Sequence, residues 1–326
     1  MTKDAVLAIL RKETGYISGE HISQLLGVSR AAVNTAVKAL RAEGYEISSS
    51  TNKGYHLEAA PNSITAKELS VYLPEERMQS VECLDSVDST NNRLRELALA
   101  GAPNGQVVLA NRQTQGRGRR GRAFASPQDN GIYLSILFYP DSLPTDVAEI
   151  TAWTAVATNN AIAEICGVRT GIKWVNDLVL NRKKLCGILT EMSVESESGY
   201  IQYIIIGIGI NVNEQAEDFP EEVRHIATSL AMETGKAHSR ARLAAALIRE
   251  LDKMGQAWPE GKQAYLEAYR RDNITTGKEI TVVRGAEEAP AFAAAIGEDF
   301  SLEVRYADGR SERLSSGEIS IKGLYH

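Results

Sequence analysis

No stretch of this chain is apolar for long enough to cross a bilayer, so no membrane association is expected. The first residues place Lys3, Asp4, Arg11 and Lys12 around a short apolar stripe, which is not the pattern of a secretory signal. Cysteine is scarce: Cys83, Cys166 and Cys186 are the only three in 326 residues, odd in number and without metal-ligand spacing. That argues against a disulfide framework or a zinc ribbon, and a reduced, cytoplasmic setting is expected. A large charge excess is missing too. The formal net charge of −6 excludes a molecule that is basic over its whole surface. Gly116, Gly118 and Gly121 fall at the spacing of a dinucleotide fingerprint, but they lie between two expected strands and open no helix, and Arg122-Ala123 stands where a P-loop needs Lys-Ser/Thr.

What remains is an ordinary globular composition, 43% hydrophobic and 24% charged, long enough for two or three domains with a sizeable core. Residues 3–13 form an amphipathic helix with Val6, Leu7 and Leu10 on one side. Ser18 caps a second short helix that carries Ile22, Leu25 and Leu26 inward and stops at Gly27. Ser29 caps a third helix, ended by Gly44, whose apolar side is Val33, Val37 and Leu40. Arg30, Asn34, Lys38 and Arg41 share the adjacent stripe. Two helices joined by a tight turn, the second with a basic stripe, is the helix-turn-helix pattern. Tyr45–Ser48 and Tyr55–Leu57, joined by a polar turn at Asn52–Gly54, read as a two-stranded wing. Arg30, Asn34, Lys38 and Arg41 are therefore the candidate DNA contacts. A helical protein-interaction module is the competing reading, because residues 1–60 are only slightly basic.

The expected domains are a winged helix over 1–60, a connecting helix over 61–75, a mixed α+β domain over 76–273 and a small β domain over 274–326. The Thr65–Glu68 capping box opens the connecting helix, which ends before Pro74. Strands are expected at 106–110, 132–138, 172–174, 178–180, 185–192, 201–207 and 208–212, with helices over 147–166, 240–258 and 261–270. So few helices, so irregularly placed, predict a mixed or antiparallel sheet and not a doubly wound one. Short strands at 279–283, 291–296, 302–306 and 319–322, with an Asp308-Gly309 turn, predict a small terminal barrel.

The most distinctive segment is Gln113–Arg122, QTQGRGRRGR, which contains Arg117, Arg119, Arg120 and Arg122 and no acid. Glycine lets backbone approach a ligand, and arginine offers a fork of donors to phosphate or carboxylate. A solvated loop or a disordered nucleic-acid segment would look similar, but the flanking strands favour a loop that orders on binding. Asp88-Ser89-Thr90-Asn91 leads into a helix, where an N-cap is the simpler role. Lys173-Trp174-Val175-Asn176-Asp177 sets a cation, an amide and a carboxylate between two strands. Lys183 and Lys184 stand at the mouth of the apolar run Leu185–Leu189, where a hairpin with solvated lysines is the simpler reading.

Together, DSTN at 88–91, QTQGRGRRGR at 113–122, Ser126-Pro127, KWVND at 173–177, KLCGIL at 184–189 and GIGINVN at 207–213 resemble the bifunctional biotin protein ligases that double as repressors of biotin genes. The resemblance covers nearly the whole chain. It implies a winged helix, a catalytic domain akin to class II aminoacyl-tRNA synthetases and an SH3-like C-terminal barrel. It implies that biotin and ATP form biotinyl-5′-AMP, and that a lysine of a biotin carboxyl carrier protein then takes the biotin. By family position, Ser89, Thr90, Asn91, Gln113, Arg117, Gly118, Arg119 and Lys184 would contact biotin. Arg119, Arg122, Asn176 and Asn211 would face the nucleotide. Lys184, Arg119, Arg122 and Lys173 would act in catalysis, and Asp177 would take Mg²⁺. The adenylate would also be the corepressor, favouring a homodimer on operator DNA. Val175 departs from a usual proline and Phe124 from a frequent tryptophan. The rival functions are a regulator that ligates nothing, and a ligase for lipoate or octanoate.

Overall fold

Serine and glycine punctuate the first sixty residues. In the computed structural model, which describes residues 2–140, 143–195, 197, 199–285 and 287–325, contacts divide the chain into units Met1–Asn62 and Ser63–His326. In the first unit α1 spans Thr2–Lys12, α2 Gly19–Leu26 and α3 Arg30–Ala42. Ser18 Oγ accepts the His21 N–H at 3.0 Å and Ser29 Oγ the Ala32 N–H at 3.1 Å, as N-caps do. Gly27 closes α2 in the left-handed region at φ 64°. Val6, Leu7, Leu10, Ile22, Val33, Val37 and Leu40 form one core. Leu25 was expected inward with Ile22 and Leu26 but is 57% exposed: on this short helix it lies off the stripe that meets α1 and α3. The wing is β1 (Glu46–Ser50) paired antiparallel to β2 (Gly54–Ala59). It is tied to the turn before α2 by reciprocal bonds of 2.9 Å between Ile17 and Tyr55.

The second unit starts with two short helices, α4 (Ala66–Leu69) and α5 (Glu75–Met78), in place of one connecting helix. Thr65 does cap α4, accepting the Glu68 N–H at 3.2 Å. Then come β3 (Val81–Val87), α6 (Thr90–Leu99), β4 (Val107–Gln113), β5 (Ile132–Phe138), α7 (Val147–Cys166), β6 (Gly171–Lys173), β7 (Asp177–Leu180), β8 (Lys183–Val194) and β9 (Ile201–Ile210). The strands make a seven-stranded sheet in the order β3-β4-β5-β9-β8-β7-β6, mixed because β3 and β4 are parallel and every other pair is antiparallel. After α8 (Glu221–Arg224), α9 (Leu230–Thr234), α10 (Arg240–Ala257) and α11 (Lys262–Asp272), five strands form an antiparallel sheet. These are β10 (Glu279–Arg284), β11 (Glu287–Ile296), β12 (Leu302–Tyr306), β13 (Ser311–Leu314) and β14 (Glu318–Ile321), ordered β13-β12-β11-β10-β14.

Alternation along β9 decides what each face of the large sheet does. Ile204, Ile206, Ile208 and Ile210 pack into the core built with α7 and α10. Full burial of each stabilises the fold by about 1.5–3 kcal/mol. On the opposite face Tyr203 and Ile205 lie in the small core with Leu94 and Ala98 of α6. Gly207 and Gly209 continue that second face at and past the start of the helix, where their missing side chains leave room for Asn91 and Phe124 beside a hollow. The five-stranded sheet shares the main core through Ile280, Phe300, Leu302 and Leu324. Trp174 fixes the join: its indole N–H donates to Phe300 O at 3.0 Å and its backbone N–H to Thr275 Oγ1 at 2.9 Å. Among the described residues no helix is long and apolar enough to cross a membrane.

Candidate functional site

The hollow over Gly207 and Gly209 is part of a cavity of about 250 Å³. It is lined by Ser89, Thr90, Asn91, Gln113, Arg117, Gly118, Arg119, Arg122, Lys173, Asn176, Asp177, Lys184 and Asn211, so every candidate ligand-binding and catalytic residue meets there. Glycine is required at the floor. A Cβ on Gly209 would lie 2.5 Å from the Phe124 ring, and one on Gly207 would overlap Asn91 Oδ1. Phe124 reaches over the floor, edge-on to Tyr133 at 6.4 Å between ring centres.

One end of the cavity is neutral and polar. Gln113 Oε1 accepts the Thr90 N–H at 2.9 Å and its hydroxyl at 3.1 Å, and Gln113 Nε2 donates to Ser126 Oγ at 2.9 Å. Ser135 Oγ bridges Thr90 Oγ1 at 2.7 Å and Asn91 Oδ1 at 2.5 Å. Asn91 Nδ2 donates to Glu191 at 2.7 Å. Both ends of the Asn91 amide are thus engaged within the protein, and it serves the cavity more as a brace than as an open donor. Ser89 begins α6 without a side-chain cap bond.

The other end is cationic. Arg119 Nη1 donates to Asn176 Oδ1 at 2.9 Å and its Nη2 to Gly317 O at 2.8 Å. Lys184 Nζ donates to Asp177 Oδ1 at 2.8 Å. Lys173 Nζ stands 3.4 Å from the Tyr325 hydroxyl. Burial lowers the proton affinity of both Lys173 and Arg119, with Asp177 opposing it in each case. These charges are largely held out of water and outnumber the two carboxylates near them, Asp177 and Glu318, a setting that favours an incoming anion. Arg122 is 71% exposed and, with Arg120, pairs with Glu318 at the start of β14. Asn211 Nδ2 donates to Thr228 O at 2.9 Å, and the Lys184 N–H to Ile226 O at 2.7 Å. Those bonds hold a segment bearing Phe219, Val223 and Ile226 over the cavity. Among the described residues no group of three or more His, Cys, Asp or Glu is placed to hold a metal. Magnesium carried on a triphosphate needs only one or two carboxylates, and Asp177 suits that need.

On the first unit Arg30, Asn34 and Lys38 are exposed along α3. Arg30 lies 3.5 Å from Glu20. Arg41, the fourth candidate DNA contact, is exposed as well and also has partners within the unit. Its Nε and Nη2 donate to Ile47 O at 2.9 and 2.5 Å, and Nη2 also reaches Ser49 Oγ at 2.5 Å. Its guanidinium ties α3 to the wing, because carbonyl acceptors on β1 lie within its reach.

Residues 83–211 match the Biotin/lipoate A/B protein ligase family and residues 2–56 an HTH domain. The Bacillus subtilis (strain 168) protein named bifunctional ligase/repressor BirA is 40% identical over 242 residues, 74% of this chain and 74% of that protein. The chain belongs to this ligase family. The protein of the same name from Escherichia coli (strain K12) is 29% identical over 94% of this chain and 92% of its own length. The solved biotin protein ligase from Aquifex aeolicus, in complex with biotin and ATP, superposes with a TM-score of 0.65 at 27% identity, covering 74% of this chain and 98% of that one.

Sequence reasoning missed several residues on and around this cavity. Glu191 carries no local motif and Glu318 lies far along the chain, and only the fold brings them to the arginines. The Phe219–Ala227 cover gave no periodic signal. Ser135 did leave one: a hydroxyl in the middle of the apolar run Ile132–Phe138.

Proposed function

We propose that the chain activates biotin with ATP and transfers it to a lysine of a carrier protein, and that its winged helix represses transcription by binding operator DNA. The observation that carries this reading is the single cavity with a neutral polar end at Thr90 and Gln113 and a cationic end at Arg119, Lys173 and Lys184. A small acid with a polar head fits the first end, and nucleotide phosphates fit the second.

In the first step a biotin carboxylate oxygen bonds to the α-phosphorus of ATP and pyrophosphate leaves. Two anions must approach each other, and fixed cations aimed at the developing charge lower that barrier far more in a closed pocket than in water. Lys184 would take this role from the cationic end, with Asp177 orienting its ammonium. Arg119 and Lys173 would hold phosphate oxygens, and Asn176 would steady Arg119. Asp177 would take magnesium arriving on the nucleotide, which supplies charge neutralisation of the phosphates. In the second step the carrier lysine's amine attacks the acyl carbon, AMP leaves and the amine loses a proton. The arginine loop and the Phe219–Ala227 segment would keep water from the mixed anhydride.

For regulation, the same adenylate would act as corepressor by binding more tightly to a dimer-competent state. A homodimer would present two winged helices to a palindromic operator, with exposed Arg30, Asn34 and Lys38 on α3 toward the duplex. The deciding experiment is mass spectrometry of the protein after incubation with biotin and MgATP, followed by addition of a carrier domain. A retained mass of biotinyl-5′-AMP, then biotin on the carrier, is expected. A protein that binds biotin yet forms neither would be a regulator alone, and preference for lipoate in direct competition would reassign the substrate.

A further inference from the structure

Arg95 and Arg117 lie side by side, bridged twice. Asn92 Oδ1 accepts from Arg95 at 3.0 Å and from Arg117 at 2.8 Å. Glu191 Oε2 takes Arg95 at 3.2 Å, Arg117 at 3.1 Å and Asn91 Nδ2 at 2.7 Å. One carboxylate oxygen thus collects two guanidinium groups and an amide. From Asn91 the polar contacts run on through Ser135 and Thr90 to Gln113. Gln113 and Arg117 sit four residues apart at the root of the same loop, so the network closes into a ring around one end of the cavity.

We propose that Glu191 is a positioning residue for biotin and its adenylate, closing the ring that holds Arg117 and Thr90 in one arrangement around the acid. This rests on the ligase reading of the cavity. Without the carboxylate two like charges face each other across an amide oxygen, and Asn91 loses the acceptor for its Nδ2. The loop root is then free to rearrange. Lys184, Lys173 and Arg119 bond to other partners, Asp177, Tyr325, Asn176 and Gly317. The effect should therefore fall on how tightly the acid is held and spare the handling of the nucleotide.

The test uses the full chain as wild type, Glu191→Gln, Glu191→Asp, Arg117→Ala and the double variant Glu191→Gln with Arg117→Ala. Biotin affinity is read by calorimetry, release of biotinyl-5′-AMP by dilution chase, and KM for ATP by pyrophosphate exchange. Glu191→Gln is expected to weaken biotin binding and speed adenylate release about tenfold, the scale of one lost charged hydrogen bond. KM for ATP should stay within about twofold, and Glu191→Asp should recover part of the loss. Because the two residues act as one unit, the double variant should be little worse than Arg117→Ala alone. Wild-type biotin affinity in Glu191→Gln, an equal rise in KM for ATP, or fully additive losses in the double variant would each overturn the proposal. If Glu191→Gln does not fold, Glu191→Asp decides: unaltered adenylate release overturns it as well. A wild-type chain that binds no biotin removes the ligase reading itself, and that is seen before any variant is compared.

Discussion

The stripe on α3 and the loop at 117–122 are two basic regions of this chain, and the fold treats their arginines differently. On α3 the exposed groups stay loosely held, with Arg30 73% exposed on its side chain and 3.5 Å from Glu20. In the loop Arg117, Arg119, Arg120 and Arg122 each donate to an acceptor on a distant element: Glu191, Asn176 and Gly317, or Glu318. A long polyanion brings many phosphates to whatever cations it meets, so solvated side chains suffice for it. One small acid brings a single carboxylate, and the groups that receive it need orienting beforehand. Positive charge in a sequence therefore tells less than the acceptors that the fold supplies.

The largest effect expected of this contrast lies on the oriented side. Lys184→Ala should slow adenylate formation about 10²–10³-fold, the usual scale for losing one fixed donor to a developing charge. Pyrophosphate exchange measures it. Binding of a labelled random-sequence duplex, without biotin, should be unchanged, and a parallel loss would mean the two regions are not separable.

The next test concerns Arg41, the one α3 arginine that behaves like those of the loop. If its fork ties the wing to the helix, Arg41→Lys should weaken duplex binding about fivefold, nearly as much as Arg41→Gln, since an ammonium does not reproduce two bonds to one carbonyl. Lys38→Ala, a solvated charge, should instead lower the slope of log affinity against log salt by about 0.9. Arg41→Lys binding like wild type would return Arg41 to the phosphate contacts.

The smallest effect concerns stability. Burial pushes the Glu214 carboxyl up to about 7 from its ordinary 4.5, although Val212 N–H donates to it at 2.6 Å. The folded chain then holds that proton more tightly than the unfolded one. The resulting stabilisation is full below pH 4.5 and is lost as pH rises through about 7. The melting midpoint should fall by a few degrees between roughly pH 5 and 8 on this account, and Glu214→Gln should flatten the decline. A variant that declines as steeply as wild type would assign the pH dependence to other groups.

The helices of the first unit and the long helices and central strands of the second were legible because apolar period and caps agree there. Val81–Val87 and Ser311–Leu314 were not anticipated, for a shared reason: each is an edge strand of its sheet, half open to solvent, and its pattern is correspondingly diluted. Segments 201–207 and 208–212 were read as two strands but are one through Gly207 and Gly209, because a glycine floor imitates a break. The site residues near motifs were readable from chemistry and resemblance. Their partners Glu191, Glu318 and Tyr325 were not, since each comes from an element far along the chain and only tertiary structure reveals it.

Trp174 hangs from Phe300 and Thr275, and that attachment sets where this polypeptide tolerates shortening. A pared-down version for tagging proteins could dispense with residues 1–62, which make their own compact unit. Removal of residues 274–326 would instead cut loose the backbone between Lys173 and Asn176, and strip Arg119 and Arg122 of Gly317 and Glu318. The stretch that looks most like an appendage when the chain is read from end to end is the one a minimal reagent must keep.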